Sequence, residues 1–312
     1  GGGGGGGGLV PPGTTLVFEA YVASNVPLGG GLSSSAALEV ATALFLEQIL
    51  AGTSARPAPQ RMKEIALLAQ AAENQFVGMP CGIMDQFVSA MADEGKAVLI
   101  DCRSQDTTAV KVEGVAVVVA NTNVKHSLVG EGGVSEYAIR VDQCQAALKT
   151  IQQHNPDARI LRDVNQECVE EIKSKVDNVI YRRARHAVRE SERTVAAASA
   201  LSNGDMNLMG TLMNTSHDSL KNDYEVSCKE LDALVDIARG VEGVYGSRMT
   251  GGGFGGCTVT LVRAERVGAL IQALEEGYPQ RCGGRRATCF STTPGAGAGC
   301  LDLTSPETGY LF

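Results

Sequence analysis

The sequence has few histidines, and its cysteines lack the spacing of a metal site. It has four histidines and nine cysteines in 312 residues, with neither C-x-x-C pairs nor the spacing of Cys/His zinc ligands. We interpret His126, His154, His186 and His217 as ordinary surface or core residues. A disulfide scaffold and a zinc site are therefore disfavoured, and we expect a reduced, cytoplasmic protein.

Basic charge and long hydrophobic runs are also scarce. Lysine and arginine number 27 against 35 aspartates and glutamates, for a net charge of −8, which argues against nucleic acid as a partner. No secretory signal or membrane span is evident. We expect a monomer that binds small molecules, and 312 residues with 44% hydrophobic content allow two domains.

One stretch combines three glycines with three serines directly before an apolar run. It reads Pro27-Leu28-Gly29-Gly30-Gly31-Leu32-Ser33-Ser34-Ser35-Ala36-Ala37. Glycines let the backbone approach an anion closely, and the free amides and dipole of a following helix attract negative charge. The stretch is typical of a phosphate-binding loop, although flexible turns share its composition. A Walker-type loop is excluded because no lysine follows the glycines. The run from Val40 to Leu46 predicts a helix buried on nearly all sides.

A second glycine cluster, Gly251 to Gly256, contains the pattern G-x-G-x-x-G in the wrong context for a dinucleotide site. That fingerprint needs a strand before it and a helix after it, whereas the run from Cys257 to Val262 predicts a strand after it. We interpret the cluster as a tight turn where two backbone segments approach closely, in preference to a direct ligand contact.

Two acidic residues flank a loop rich in glycine and proline. Helical periodicity places Glu73 near the C-terminal end of one helix, where the dipole disfavours an acid, so Glu73 is a candidate ligand for a cation such as Mg²⁺. Asp85 falls in the first turn of the next helix, beside apolar residues. Two roles are open for it there: a helix cap, or the base that accepts a substrate hydroxyl proton. Two acids and a phosphate loop together indicate phosphoryl transfer.

Three blocks of sequence resemble the galactokinases, a family within the wider group of homoserine, mevalonate and phosphomevalonate kinases. The blocks are Pro27–Ala37; Gly78–Gln86 with Asp101–Ser104; and Ser247–Thr258. Shorter matches at Asn121–Leu128 and Asp223–Cys228 extend the resemblance, which runs from Thr15 to Leu303.

The resemblance implies that the γ-phosphoryl group of ATP is transferred to the anomeric hydroxyl of galactose. Asp85 matches the catalytic base, which also contacts the sugar. The phosphate-binding positions match Gly29, Gly31, Ser33 and Ser34. Ser35 and Glu73 fall where the wider group binds Mg²⁺, with the choice between Ser34 and Ser35 left open. Tyr137 matches a residue that contacts the sugar.

The sequence departs from the family pattern in two places. The family's opening motif, rich in Gly-Arg, Asn and Glu-His-Thr-Asp, is absent, and the glycine run Gly1–Gly8 stands in its place. We therefore expect an incomplete amino-terminal sheet, exposed apolar surface and fewer partners for the sugar. The loop Val129–Val134 is lengthened just before Tyr137.

Three alternatives to an active galactokinase follow from these departures. The first alternative is an N-acetylgalactosamine kinase, since related kinases differ in the sugar pocket to which the absent motif contributes. The second is a sugar and ATP sensor without catalysis, and the third is an inactive piece of a galactokinase. The intact run from Ser33 to Ala37 favours an enzyme over a sensor.

The periodicity of the remaining chain predicts a fold of the α+β class, the two-domain small-molecule kinase fold. We expect a tail at 1–13, an amino-terminal domain of mixed sheet and helices at 14–110, a ferredoxin-like α+β domain at 111–303, and a tail at 304–312. The predicted strands are Lys96–Asp101, Val115–Ala120, Gly246–Met249, Cys257–Val262 and Ala287–Thr293; the predicted helices of the second domain are Ser135–Gln153, Val179–Leu201, Asp205–Leu220, Lys229–Arg239 and Glu265–Glu276. Within them, the basic run Arg182–His186 is expected on a solvated helix face, paired with nearby glutamates. The segment Pro294–Gly299 is expected to be a flexible turn.

Overall fold

The computed structural model describes residues 15, 17–79, 81–124 and 136–301, which form two compact units. The first unit holds the described residues up to Val26, then Ser33–Ala109, and the described residues from Pro294 onward. The second holds Pro27–Leu32 and Val110–Thr293. The phosphate loop thus belongs to the second unit, and the helix that follows it belongs to the first. Gly1–Gly8, Pro80, the loop Val129–Val134, His126 and the tail from 304 lie outside the described residues.

Three helices build the core of the first unit. They are α1 (Ser34–Ala51), α2 (Pro59–Ala71), which a π-helical turn (Ala72–Val77) extends, and α3 (Met84–Met91). Apolar residues of all three pack together, among them Val40, Leu44, Met62, Ile65, Ala66, Ala69, Ile83, Phe87 and Ala90. The strands β1 (Lys96–Ile100) and β2 (Thr107–Lys111) pair as a two-stranded sheet. Residues after Pro294 return to this unit, where Gly297 and Ala298 donate backbone hydrogen bonds to Ala92 and Ser89.

Helix α1 is less buried than its apolar sequence predicts. Only Ala36, Val40 and Leu44 are buried, whereas the side chain of Leu38 is 50% exposed and that of Phe45 is 37% exposed. The expectation of a helix buried nearly all round is therefore wrong, because an apolar run does not reveal which of its faces has a neighbour. By length and composition alone α1 also reaches the threshold for a membrane span, a test that core helices of soluble domains pass as well. Apolar side chains on the preceding segment, such as Tyr21 and Val22, are exposed too, as expected from the sequence.

The second unit pairs a four-stranded antiparallel sheet with long helices. Its elements are β3 (Ala116–Asn121), α4 (Glu136–Ile151), α5 (Gln166–Glu171), α6 (Asn178–Ser202), α7 (Met206–Ser219) with a second π-helical turn (Leu220–Tyr224), α8 (Lys229–Arg239), β4 (Val244–Met249), β5 (Cys257–Val262), α9 (Val267–Arg281) and β6 (Thr288–Thr292). The strand order is β4-β5-β3-β6, so β3 is inserted between strands that follow it in sequence. Helices α8 and α9 cover the sheet through Leu234, Leu270, Leu274 and Tyr278. This is the α+β architecture that the sequence predicts.

The three arginines of the run Arg182–His186 are buried or partly buried in the second unit and do not form a solvated face. The side chain of Arg183 is 2% exposed; its Nη2 lies 2.6 Å from Glu225 and its Nε donates to Gln143. Arg185 pairs with Asp223, and Arg182 pairs with Glu225. Because the two arginines hold it, the pKa of Glu225 lies below its ordinary value. The prediction of intrahelical pairing in solvent is therefore wrong for this run, since its partners lie about 40 residues away along the chain.

Five consecutive carbonyl groups near the second π-helical turn receive hydrogen bonds from outside that turn. Arg182 donates to the carbonyl of Asn222, Arg183 to that of Asp223, and Arg140 to those of Tyr224 and Glu225. The fifth, that of Val226, accepts from the amide of Phe254 at 2.7 Å. Glu225 adopts a left-handed conformation with φ 55°, which a residue with a Cβ takes only where its surroundings enforce it.

We predict that Glu225→Gln lowers the free energy of unfolding by about 2 kcal/mol, because it leaves the buried guanidinium of Arg183 without its charged partner. Glu242→Gln is the matched control, since Glu242 also contacts two arginines, Arg263 and Arg266, but those arginines are partly exposed and Glu242 is 79% exposed. There the expected loss is about 1 kcal/mol or less. Urea titration of both variants measures the difference, and equal losses would contradict a special role for the contact with the buried Arg183.

Candidate active site

The glycine loop of the second unit has the backbone conformation that an anion-binding loop requires. Gly29 and Gly31 have φ values of 67° and 71°, which side chains with a Cβ rarely adopt. Gly30 lies in a tight space, where a Cβ would come within 3.3 Å of the Asn121 side chain and 3.4 Å of the Cys257 sulfur. All three glycines are therefore specified by geometry, two by their conformation and one by its neighbours.

The second glycine cluster forms a turn that packs directly against this loop. Gly251 has φ 74°, and a Cβ there would lie 2.9 Å from the Cα of Gly31. At Gly253 a Cβ would overlap the carbonyl of Val226, and at Gly255 it would lie 2.8 Å from the carbonyl oxygen of Val124. The prediction of a turn where two backbones approach closely is confirmed.

Three serines at the start of α1 have side chains without a partner in the part of the chain that the structure describes. Ser33 is the N-cap, yet its side chain makes no capping hydrogen bond and its φ of 59° is left-handed. The hydroxyls of Ser34 and Ser35 likewise make no hydrogen bond among the described residues. The first-turn amides of a helix have no intrahelical acceptor, and no acidic residue occupies the first turn of α1. The start of α1 therefore offers unpaired donors and a positive dipole end, which suit a phosphate group.

The carboxylate of Asp85 is partly exposed, and within the described part of the chain it has no partner. Asp85 lies in the first turn of α3, where the N-cap residue is Ile83 and no side chain caps the helix. Its side chain makes no hydrogen bond or ion pair among the described residues. Asp85 stands between Met84, which is 60% exposed, and the buried Gln86, so it lies at the border of the buried face of α3. The geometry shows a carboxylate that does not cap its helix and is available to a ligand.

Glu73 lies in the first π-helical turn and shares a hydrogen-bond donor with a second acid. The side-chain nitrogen of Gln86 donates to Glu73 at 3.0 Å and to Glu39 at 3.2 Å. Burial raises the pKa of Glu39, the nearby Glu73 raises it further, and the hydrogen bond from Gln86 opposes the shift. Two carboxylates thus meet at one amide.

The carboxylate of Glu73 and the hydroxyl of Ser35 are oxygen donors of the kind that a hard cation such as Mg²⁺ prefers. Among the described residues no three acids, histidines or cysteines form a metal-binding group. Mg²⁺ in kinase sites needs only one or two carboxylates, because substrate phosphates and water complete its coordination. Glu73 has a second oxygen free of Gln86, and Ser35 carries an unpaired hydroxyl. The donor set therefore fits Mg²⁺.

The predicted site residues are divided between the two units. Ser33, Ser34, Ser35, Glu73 and Asp85 belong to the first unit, whereas Gly29, Gly31 and Tyr137 belong to the second. Tyr137 lies in the first turn of α4 and is 37% exposed.

Two polar residues beside the predicted site were missed by sequence reasoning: Glu39 and Gln86. Their helical spacing in the sequence could have identified both. Glu39 lies one helical turn after Ser35, and Gln86 is a polar residue on the α3 face that buries Ile83, Phe87 and Ala90.

Comparison with known proteins places this geometry among small-molecule kinases. The models of the GHMP kinases N terminal domain and the GHMP kinases C terminal domain match residues 11–93 and 197–280. The chain is 47% identical to the galactokinase of Homo sapiens over 288 residues, covering 92% of this chain and 68% of that protein. It is 48% identical to the galactokinase of Bos taurus over 263 residues, covering 84% of this chain and 63% of that protein.

Solved structures of kinases also resemble this chain. The galactokinase of Lactococcus lactis, complexed with galactose, matches with a TM-score of 0.79 at 35% identity and covers 88% of this chain and 69% of its own. The mevalonate kinase of L. major, with a TM-score of 0.52 at 19% identity over 85% of this chain and 66% of its own, shares the fold alone. The chain spans about two thirds of the length of the relatives it matches.

We predict that Gly251→Ala weakens ATP binding and lowers the free energy of unfolding by about 2 kcal/mol or more, since a Cβ adds both φ strain and a contact that displaces Gly31. Gly204→Ala is the matched control, because Gly204 has φ 70° with open space around its Cβ position. The Gly204→Ala variant should lose only about 1 kcal/mol, the cost of the left-handed φ, and its ATP affinity should be unchanged. Calorimetric titration measures the ATP affinity, and urea unfolding measures the stability. An ATP affinity that falls equally in both variants would refute the role of the Gly251–Gly31 contact in ATP binding.

Proposed function

The chain belongs to the GHMP kinases and within them to the galactokinases, and we propose that it transfers the γ-phosphoryl group of ATP to the anomeric hydroxyl of galactose. The observation that carries this proposal is the unpaired carboxylate of Asp85 in the same unit as the unpaired donors at the start of α1. One group accepts a proton and the other binds an anion, the two requirements of phosphoryl transfer to an alcohol.

Phosphate binding is the proposed task of Gly29, Gly31, Ser33 and Ser34. The glycines expose backbone amides at positive φ, and the serines add hydroxyl donors at a helix N-terminus. Hydrogen bonds from these groups stabilise negative charge on the transferred phosphoryl group without rearrangement during the reaction.

Asp85 is proposed as the base that orients the sugar hydroxyl and accepts its proton. Its carboxylate has no competing donor among the described residues, so a substrate hydroxyl is free to donate to it. Tyr137, whose side chain is 37% exposed, is proposed to contact the sugar.

Ser35 and Glu73 are proposed to hold Mg²⁺ through a hydroxyl and a carboxylate oxygen. The ion would neutralise charge on the β- and γ-phosphates of ATP. Glu73 is kept in place for this task by its hydrogen bond from Gln86.

We also propose that the protein is a cytoplasmic monomer. All nine cysteines are free thiols, which is typical of a reducing compartment.

We predict that Asp85→Asn reduces transfer by at least about a hundredfold while ATP affinity stays within about twofold, because proton transfer is lost and the phosphate donors are untouched. ADP release is measured with Mg–ATP and galactose, N-acetylgalactosamine, glucose or no sugar, and ATP affinity is measured by calorimetric titration.

Turnover with galactose alone supports the proposal, whereas turnover with N-acetylgalactosamine alone would show that N-acetylgalactosamine is the substrate. No turnover with intact ATP binding would overturn the kinase proposal in favour of a sensor or an inactive piece. Loss of both transfer and ATP binding in Asp85→Asn would refute the division of roles.

A further inference from the structure

Gln86 is a buried polar side chain in an apolar core. Its side chain is 1% exposed, and its neighbour Phe87 lies in the core formed by α1, α2 and α3. An amide in such a place costs free energy unless its hydrogen bonds are made. Its nitrogen donates to Glu39, Glu73 and the sulfur of Cys81, whereas its Oε1 atom is buried without a partner among the described residues. Packing alone does not account for this residue, because an aliphatic side chain would fill the space without an unpaired oxygen.

The orientation of the amide is fixed by the two acids. Besides the sulfur of Cys81, the groups beside its nitrogen are two carboxylate oxygens, which accept hydrogen bonds. A rotated amide would place Oε1 against them. The nitrogen therefore stays between Glu39 of α1 and Glu73 of the π-helical turn.

This bridge joins three elements of the first unit. Glu39 follows Ser35 by one turn of the same helix, Glu73 lies beyond the end of α2, and Gln86 follows Asp85 in α3. Residues four apart on a helix lie on one face, so the helix face that carries Ser35 also carries the acid that Gln86 contacts. The position of the Glu73 carboxylate relative to α1 is thus set by one amide.

The geometry points to Gln86 as a positioning residue: its side-chain nitrogen holds the Glu73 carboxylate beside α1, in the place where it takes up a divalent cation together with phosphate. This assignment rests on the proposed use of Mg–ATP. Glu39 is the anchor on the α1 side. The amide keeps two like charges together and leaves the other oxygen of Glu73 for the cation.

Gln86→Leu is the principal test, since leucine removes the donor and keeps most of the volume. Gln70→Leu is the matched control, because the Gln70 amide bonds the carbonyl of Cys81 and neither acid. Glu39→Ala is a second variant on a partly exposed side chain, which removes the anchor without burying a new group.

The readout is Mn²⁺ affinity in the presence of ATP, followed by electron paramagnetic resonance of free Mn²⁺ on the full chain. Gln86→Leu is expected to weaken Mn²⁺ binding by about tenfold or more, the usual loss when a group that orients a metal ligand is removed. Glu39→Ala is expected to weaken it less, in the same direction, and Gln70→Leu not at all. The Mg²⁺ concentration for half-maximal ADP release should rise in parallel, with the KM for galactose within about twofold of the parent.

A merely structural role predicts a different result. It would lower the urea midpoint of Gln86→Leu and leave the Mn²⁺ affinity of the folded protein unchanged. Unchanged or tighter Mn²⁺ binding in Gln86→Leu would overturn the assignment, as would an equal loss in Gln70→Leu. If Gln86→Leu does not fold, unchanged Mn²⁺ binding in Glu39→Ala overturns it in the same way.

The same measurements distinguish failure of the proposed kinase function from failure of the role assigned to Gln86. Mn²⁺ and ATP binding by the parent without turnover on any sugar would remove the kinase proposal, and a loss in Gln86→Leu would still support the role of Gln86. A parent chain that binds no Mn²⁺ with ATP would overturn the assignment of Gln86 itself.

Discussion

The backbone of the second unit depends on how three arginines hold residues 222–226. Arg140, Arg182 and Arg183 donate to four successive carbonyl groups, and the amide of Phe254 takes the fifth. A guanidinium group suits this task because its donors have a fixed planar arrangement. The left-handed conformation of Glu225 costs on the order of 1–3 kcal/mol, and these contacts offset it. Gly253 of the glycine turn packs against the backbone of Val226, and Gly251 of the same turn packs against Gly31. The conformation of the phosphate loop therefore depends, through a series of direct contacts, on arginines of α4 and α6.

Hydrogen-bond pairing separates polar groups that support the fold from those available for chemistry. In the second unit the charges of Arg183, Glu225 and Asp223 are all paired. In the first unit the carboxylate of Asp85 and the hydroxyls of Ser33, Ser34 and Ser35 have no partner among the described residues. None of these four groups is buried, so water satisfies them in the free protein and pairing is not needed for stability. They therefore remain available to a ligand at the starts of α1 and α3.

The sequence predicted the elements well because their patterns are local. Helix α8 has the predicted bounds, Lys229–Arg239, and the strand at Cys257–Val262 is also as predicted. The glycine turn was recognised because five glycines in six residues leave few alternatives. Burial was harder to predict. The run Arg182–His186 has Glu190 and Glu192 close behind it in the same helix, and nothing local reveals that Asp223 and Glu225 are the partners. The exposed face of α1 was missed for the same reason, since periodicity shows an apolar face but not what covers it.

The two π-helical turns were not predicted, and the first of them changes which residues after Glu73 face the core. The buried residues of α2, Met62, Ile65, Ala66 and Ala69, follow the α-helical period. If that period continued, it would next bury residues near 73 and 76. Phe76 is instead 92% exposed. A π-helix places its hydrogen bonds between residues five apart, which adds a residue to the turn and shifts the faces that follow. Glu73 follows Ala69 by four residues, so it keeps to the face that α2 buries and meets the amide of Gln86 there. Phe76, later in the widened turn, lies away from that face. The acid therefore keeps the register of the packing helix, whereas the aromatic side chain after it does not.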